Sequence, residues 1–344
     1  MKRNLTWIIF IVCSLSMGMA AADRDFRYAY VADQSSDTVS VIDRTTNSVV
    51  ATIGGISGPG GVAITHDGKE VWVVATNEID VIDTATNTVV STLPSNNPGL
   101  IFPNSVVFSP DDYRAYVVNN YFDSMNGNNG TVSVIDRRSH VVVANIGVGE
   151  APRCIAISPN GKYVYVSNAE DGTVSVIDTK TLSVVTTIPN QPPFFLGGTA
   201  NGLAVTPNGK YVYVTVGGGD SVTVIDTATN SVSDIISLGP IDIDPCDVAI
   251  TPNGKLAYVP DCSSNQVTVV DTKTNTILTT ISLAPPEGAP TTALGVAMGP
   301  FGKHAYVTDV LNNSVYVIDT SSNTVVDDIF VGASPFGIAV RPLP

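Results

Sequence analysis

The 344 residues carry 17 Lys and Arg against 31 Asp and Glu, a net charge of −14, with 44% hydrophobic and only 14% charged residues. That is too apolar for a disordered chain and the wrong sign for a surface that holds DNA, RNA or an anionic membrane. The 29 Gly and 22 Pro call for frequent turns.

Lys2 and Arg3 precede an apolar run from Leu5 to Met19, and Ala20-Ala21-Ala22 offers a small-residue cleavage site before Asp23. This pattern reads as a secretory signal over residues 1–22, and the run is short for a membrane span. Lys2 and Arg3 are its only charged residues, so its removal takes the net charge from −14 to −16. Cys13 leaves with it, and Cys154, Cys246 and Cys262 remain in a mature chain of 23–344. The expected product is exported to the periplasm, the cell surface or the medium, with no transmembrane segment after signal removal.

From Tyr28 onward one unit recurs. Tyr30, Trp72, Tyr116, Tyr165, Tyr213, Tyr258 and Tyr306 each open an aromatic-Val step, spaced by 42, 44, 49, 48, 45 and 48 residues. A second apolar run then ends in Asp, as in Val41-Ile42-Asp43 or Val317-Ile318-Asp319. A third follows, such as Val184-Val185-Thr186-Thr187-Ile188. The fourth is centred on Ala63, Ala156, Ala204, Ala249, Ala297 or Ala339, with Val107 in one copy. These β-branched runs have strand length and no helical period, so four strands repeat seven times. The expected fold is all-β, a seven-bladed propeller of four-stranded antiparallel blades in a single domain. Sheets stacked face to face explain apolar runs without alternation, and a small Ala suits the innermost strand. The chain ends on a lone Ala-type run, 337–341. Pairing it with the first three strands, about 28–53, closes the ring and removes two sheet edges.

Tyr-Val-x-Asn/Asp, Val-x-Val-Ile-Asp-Thr and Ser/Thr-Pro-Asn-Gly-Lys, as in Tyr165 to Asn168, Val174 to Thr179 and Ser158 to Lys162, resemble the YVTN family of β-propeller repeat proteins. The resemblance covers residues 28–342. It implies the propeller fold and a cell-surface, periplasmic or secreted protein. One branch of that family resembles single-strand DNA binders, and related seven-bladed folds include lactonases.

A residue present in most blades serves the blade, whereas a site that acts once should appear once. The seven Asp from Asp43 to Asp319 begin Asp-Thr-x-Thr-Asn-type turns, where Asp bonds the backbone ahead and Asn tolerates a left-handed conformation. Pro159-Asn160-Gly161-Lys162 and its copies are hairpin turns, with no helix following to make an anion site. Both turn types fall on one face of the ring. The insertions fall on the other: Pro94 to Asn104, Asn119 to Gly130, Pro189 to Asn201, Leu238 to Cys246 and Leu283 to Leu294. That face is the candidate binding face. Leu100-Ile101-Phe102, Tyr121-Phe122, Phe194-Phe195-Leu196 and Phe336 place apolar groups there, either covering blade ends or forming an apolar rim. At the inner mouth the repeat is broken by Asn104, Arg153, Asn201 and Asp247. Arg153 either clamps a ligand carboxylate or pairs with Asp247 or another local acid, and pairing is the simpler expectation. Cys246 and Cys262 lie opposite each other about the 252–255 turn, and export favours their oxidation to a disulfide.

Metal and nucleophile signatures are missing. The three histidines, His66, His140 and His304, fall on or beside the short-turn face. No zinc, haem or copper ligand spacing occurs, and no Gly-x-Ser-x-Gly elbow. A single mature Trp, Trp72, gives little support to a quinoprotein dehydrogenase. No cofactor is expected. Asp242, Asp244 and Asp247, and the oxygen-rich 123–129 stretch, are the Ca²⁺ candidates, both without EF-hand spacing. The leading functional expectation is a monomeric, exported, non-enzymatic propeller that binds a protein, glycan or small ligand on its loop-rich face. The alternatives are a lactonase-like hydrolase or lyase at the central mouth, and single-strand DNA binding by stacking on Phe194 and Phe195. The acidic balance counts against nucleic acid.

Overall fold

The computed structural model describes residues 26–95, 99–120, 130–189, 199–239, 243–283 and 291–341. The signal expected over 1–22 lies outside the described residues, as do Tyr121, Phe122, Phe194, Phe195, Asp242 and the 123–129 stretch. Strands pair into seven four-stranded antiparallel sheets, with a single 3₁₀ turn, Gln34–Ser36, among the described residues. Six sheets are continuous in the chain, over 62–94, 103–147, 152–188, 199–237, 249–282 and 293–330. We number these blades 1 to 6. Blade 7 joins Pro335–Val340 to Tyr28–Asp33, Thr38–Asp43 and Ser48–Gly54, in that spatial order. Its innermost strand touches those of both blade 6 and blade 1, so the ring is closed as the repeat register requires.

The core is a set of slabs between blades, not one central cluster. Trp72, Val74 and Val81 of blade 1, for example, pack on Phe108, Ala115 and Val117 of blade 2. The two middle strands of a blade are therefore buried on both faces, as Tyr163–Asn168 and Thr173–Asp178 show. The outermost strand alternates exposed and half-buried residues, as along Ser183–Ile188, where Ile188 alone is buried.

Cross-strand register explains the Ala. Tyr30 pairs with Ala339, Trp72 with Ala63, Tyr165 with Ala156 and Tyr213 with Ala204. The same pairing joins Tyr258 to Ala249, Tyr306 to Ala297 and Tyr116 to Val107. A small side chain lets the inner strands converge on the axis, while the aromatic ring fills the wider slab behind it. Each of these rings is fully buried, which stabilises the fold by about 1.5–3 kcal/mol per side chain.

The turn residues hold blade to blade. Tyr213 Oη donates to Asn275 Oδ1 at 2.6 Å and Tyr258 Oη to Asn323 Oδ1 at 2.6 Å, each in the next blade. Asn275 and Asn323 sit at φ 53° and 54°, the left-handed conformation expected of the turn Asn. Asp178 Oδ1 accepts the amides of Lys180 and Thr181, both at 2.9 Å, so the repeated Asp is a turn residue.

Two boundaries differ from expectation. The closing strand begins at Pro335, not Gly337. The innermost strand of blade 5, expected as a run centred on Ala249, is only the two residues Ala249–Ile250, after an isolated Pro245–Asp261 bridge. There Asp247 Oδ1 takes the Val248 amide at 2.8 Å, which removes that donor from the ladder.

Candidate functional site at the central mouth

Where an innermost strand enters the ring, its register slips. In blade 3, Pro152 pairs with Asn168 and Ile155 with Val166, so Arg153 and Cys154 together face Ser167. The same irregularity leaves Asn201 and Gly202 facing Thr215, and Leu294 and Gly295 facing Thr308. In blade 2, Asn104 is an extra residue between Pro103 and Ser105. Such bulges re-aim side chains. Buried hydroxyls hold them in place. Ser167 Oγ accepts the Cys154 amide at 3.0 Å, Thr215 Oγ1 the Gly202 amide at 2.9 Å, and Thr308 Oγ1 the Gly295 amide at 2.9 Å. Two of these hydroxyls also donate to the next blade, Ser167 to Asn201 O at 2.6 Å and Thr308 to Phe336 O at 2.9 Å. Sequence reasoning passed over this residue, two places after the repeat aromatic, although its recurring hydroxyl was visible.

The re-aimed residues line a pocket of about 540 Å³ on the axis, within the range that takes a small molecule. Asn104, Arg153, Asn201 and Asp247 all contribute, so the structure brings the four predicted mouth residues together. Asn120, Ser105, Cys154, Leu294 and Phe336 join them. Among the described apolar loop residues the expected rim divides. Leu100 is fully buried in the slab between blades 1 and 2. Ile101 and Phe102 are exposed but lie outside the pocket lining. Phe336 lines the mouth and is 37% exposed.

Arg153 does not pair with Asp247. The exposed guanidinium gives one Nη1 hydrogen to Asn201 Oδ1 at 2.8 Å and has no other acceptor among the described residues. Asn201 in turn reaches Pro245 O from Nδ2 at 3.3 Å, and its Oδ1 accepts Thr199 Oγ1 at 3.3 Å. The Arg153 charge is felt instead by Asp244, whose carboxyl is pushed above its ordinary range by burial and by Asp261. Asp247 is tied to backbone: Oδ2 accepts the Val296 amide of blade 6 at 3.0 Å, and Oδ1 the amide of Val248. Burial pushes its carboxyl up to about 6 against those two amides. Cys154 is pushed up to about 11 by burial and the Asp247 charge, so at neutral pH it is a thiol and a poor nucleophile.

Cys246 and Cys262 form a disulfide with Cα atoms 6.0 Å apart, at the mouth end of blade 5 and next to Asp247. No group of His, Cys, Asp and Glu among the described residues is arranged to hold a metal ion. Two other clefts of similar size, about 520 and 530 Å³, lie on the short-turn face. They occupy equivalent places between blades 4 and 5 and between blades 2 and 3, beside the Pro-Asn-Gly-type turns, and are products of the repeat. The mouth is the place where the blades differ.

Residues 124–294 match the family model described as Lactonase, 7-bladed beta-propeller. A seven-bladed beta-propeller protein of Mycobacterium tuberculosis is 31% identical over 142 residues, 40% of this chain and 34% of that protein. The match therefore spans about a third of the length of the curated relative. Among solved structures, a protein of unknown function from Desulfotomaculum acetoxidans superposes with TM-score 0.74 at 19% identity, covering 92% of this chain and 100% of that one. Hydrazine synthase of Kuenenia stuttgartiensis gives 0.71 at 22%, covering 86% and 93%. The dihydro-heme d1 dehydrogenase NirN gives 0.65 at 15%, covering 91% and 75%. The likeness is one of fold.

Proposed function

We propose that this chain is an exported propeller of the YVTN type that captures a small ligand at the central mouth of its loop-rich face. The observation that carries this reading is the convergence of Asn104, Arg153, Asn201 and Asp247, at the step where the blades differ from one another, on one pocket of about 540 Å³. The hydrophobic segment after Lys2 and Arg3 supports export, as does the Cys246–Cys262 disulfide. No described helix is long and apolar enough to cross a membrane. Binding without turnover suits a pocket whose thiol is protonated and whose one carboxylate among the described residues is held by two amides.

The test is amide-resonance mapping with a panel of neutral, cationic and anionic fragments. Shifts concentrated at residues 104, 153–154, 201–202 and 247 are expected. Shifts confined to the short-turn clefts would end the reading. A lactonase-type hydrolase is the second reading, favoured by the family match over 124–294. Its general base would be Asp247, the carboxylate with the raised protonation range. Turnover of a simple γ- or δ-lactone by the chain, abolished in Asp247→Asn, would establish it over pure binding.

A further inference from the structure

The mouth is two-sided. The residue three places before the repeat's Ala is Asn104 in blade 2, Arg153 in blade 3 and Asn201 in blade 4. In blade 5 that place is Cys246, with Asp247 beside it at the pocket. The position becomes Leu294 in blade 6, Phe336 in blade 7 and Gly60 in blade 1, where Val62 lines the pocket instead. The innermost strands touch in this order around the axis. Four consecutive blades therefore make a polar arc, and the remaining three make an apolar one. Arg153 stands near the middle of the polar arc. In a ring of seven, the point opposite blade 3 falls between blades 6 and 7, which carry Leu294 and Phe336. The cation of the pocket thus faces its largest apolar side chains across the axis.

We infer that the mouth is built for a small organic anion with an apolar body, its carboxylate-type head on Arg153 and its body against Leu294 and Phe336. This rests on the mouth being the binding site, and it names the ligand class. Three features support it. Asn201 fixes one edge of the guanidinium at 2.8 Å, which orients the fork before any ligand arrives. A planar fork with further donors matches a carboxylate bidentately. Phe336 is held by its own carbonyl, which accepts Thr308 Oγ1 at 2.9 Å, so the apolar wall is positioned by the same bulge hydroxyl that shapes the ring. A doubly charged ligand fits less well, because Asp247 shares the polar arc and no second cation lines the pocket among the described residues.

The experiment is calorimetric titration of the mature, oxidised chain with 3-phenylpropionate, its neutral amide 3-phenylpropionamide, and acetate as the head alone. The acid is expected to bind at least tenfold more tightly than the amide, and acetate to give no measurable heat. Arg153→Gln should weaken the acid about tenfold and leave the amide unchanged, while Phe336→Ser should weaken both. Equal affinity for acid and amide, no binding of the acid at millimolar concentration, or indifference to Arg153→Gln would each overturn the inference. If fragment mapping still places neutral or cationic compounds at the mouth, the binding site stands and only the ligand class falls. If the mapping leaves the mouth empty, both fall.

Discussion

Gly202 shows how tightly the inner strands converge. A Cβ built there would lie 2.5 Å from Asp247 Cα and 2.8 Å from Cys246 O, both in the next blade. Gly295 meets Phe336 O in the same way at 2.6 Å, so this step is glycine because backbone passes backbone. Gly202→Ala should cost about 2 kcal/mol, in the range for overpacking a close contact, read as a lowered urea midpoint. Gly54→Ala is the control. Nothing lies within 4 Å of its Cβ position, and the change should be neutral or stabilise by about 0.5 kcal/mol through the unfolded chain. Asp247 makes the second residue-scale prediction. Its carboxyl protonates near 6 in the fold against an ordinary 3.8. The folded state therefore holds the proton more tightly, and stability falls as pH rises from about 4 to 6. Asp247→Asn should flatten that slope, measured by urea unfolding at pH 4, 5, 6 and 7. Of its neighbours, Arg153 and Cys154 lie on blade 3 and Asp244 and Asp261 on its own hairpin, while the adjoining steps of blades 4 and 6, Gly202 and Leu294 to Val296, carry no charge. Burial outweighs all of them in the shift. An Arg153 ion pair would have reversed it, and that partnership is where sequence reasoning failed. Adjacent blades bring Arg153 to Asn201, and a linear chain does not show which of several polar residues a bulge will turn toward it.

The bulged entrance of the innermost strand is the element on which the mouth depends. The Gly202 amide is shared between Cys246 O of the next blade and Thr215 Oγ1, each at 2.9 Å, with Thr215 fully buried. Thr215→Val keeps the shape, removes the hydroxyl share of that bond and leaves the amide on Cys246 O alone, which should cost about 0.5–1.5 kcal/mol. It should also shift the amide resonances of Asn201 and Gly202, while Thr223→Val, whose Oγ1 has no partner, should cost less. Equal losses in the two variants would remove the hydroxyl's role in shaping the mouth. Strands, turns and their faces were legible because a sevenfold repeat displays its register seven times over. Tyr165 opposite Ala156 repeats Tyr213 opposite Ala204. The bulges were not legible, because they arise from backbone slippage that leaves residue spacing to the Ala unchanged.

At the scale of the whole ring, two cross-links act on different states of the chain. The disulfide joins residues 16 apart within blade 5, a loop for which chain entropy assigns about 3 kcal/mol. Reduction should lower stability by about that amount yet leave seven blades, because every slab between blades survives. The closing strand is another matter. Pro335–Val340 pairs with Tyr28–Asp33 and touches the innermost strands on either side. Ile338 and Val340 pack into the slab between blades 6 and 7, and Ala339 into the slab between blades 7 and 1. Deleting residues 335–344 would leave a six-bladed arc with an unpaired Tyr28–Asp33 edge and two opened slabs. Loss of the cooperative transition is therefore expected, with aggregation through the bared edge. Adding a synthetic 331–344 peptide in trans should restore the transition if closure alone is missing. Folding of the truncated chain with an unchanged midpoint would mean that the six continuous blades are self-sufficient. The mouth would then be shaped by neighbouring blade contacts rather than by the closed circle.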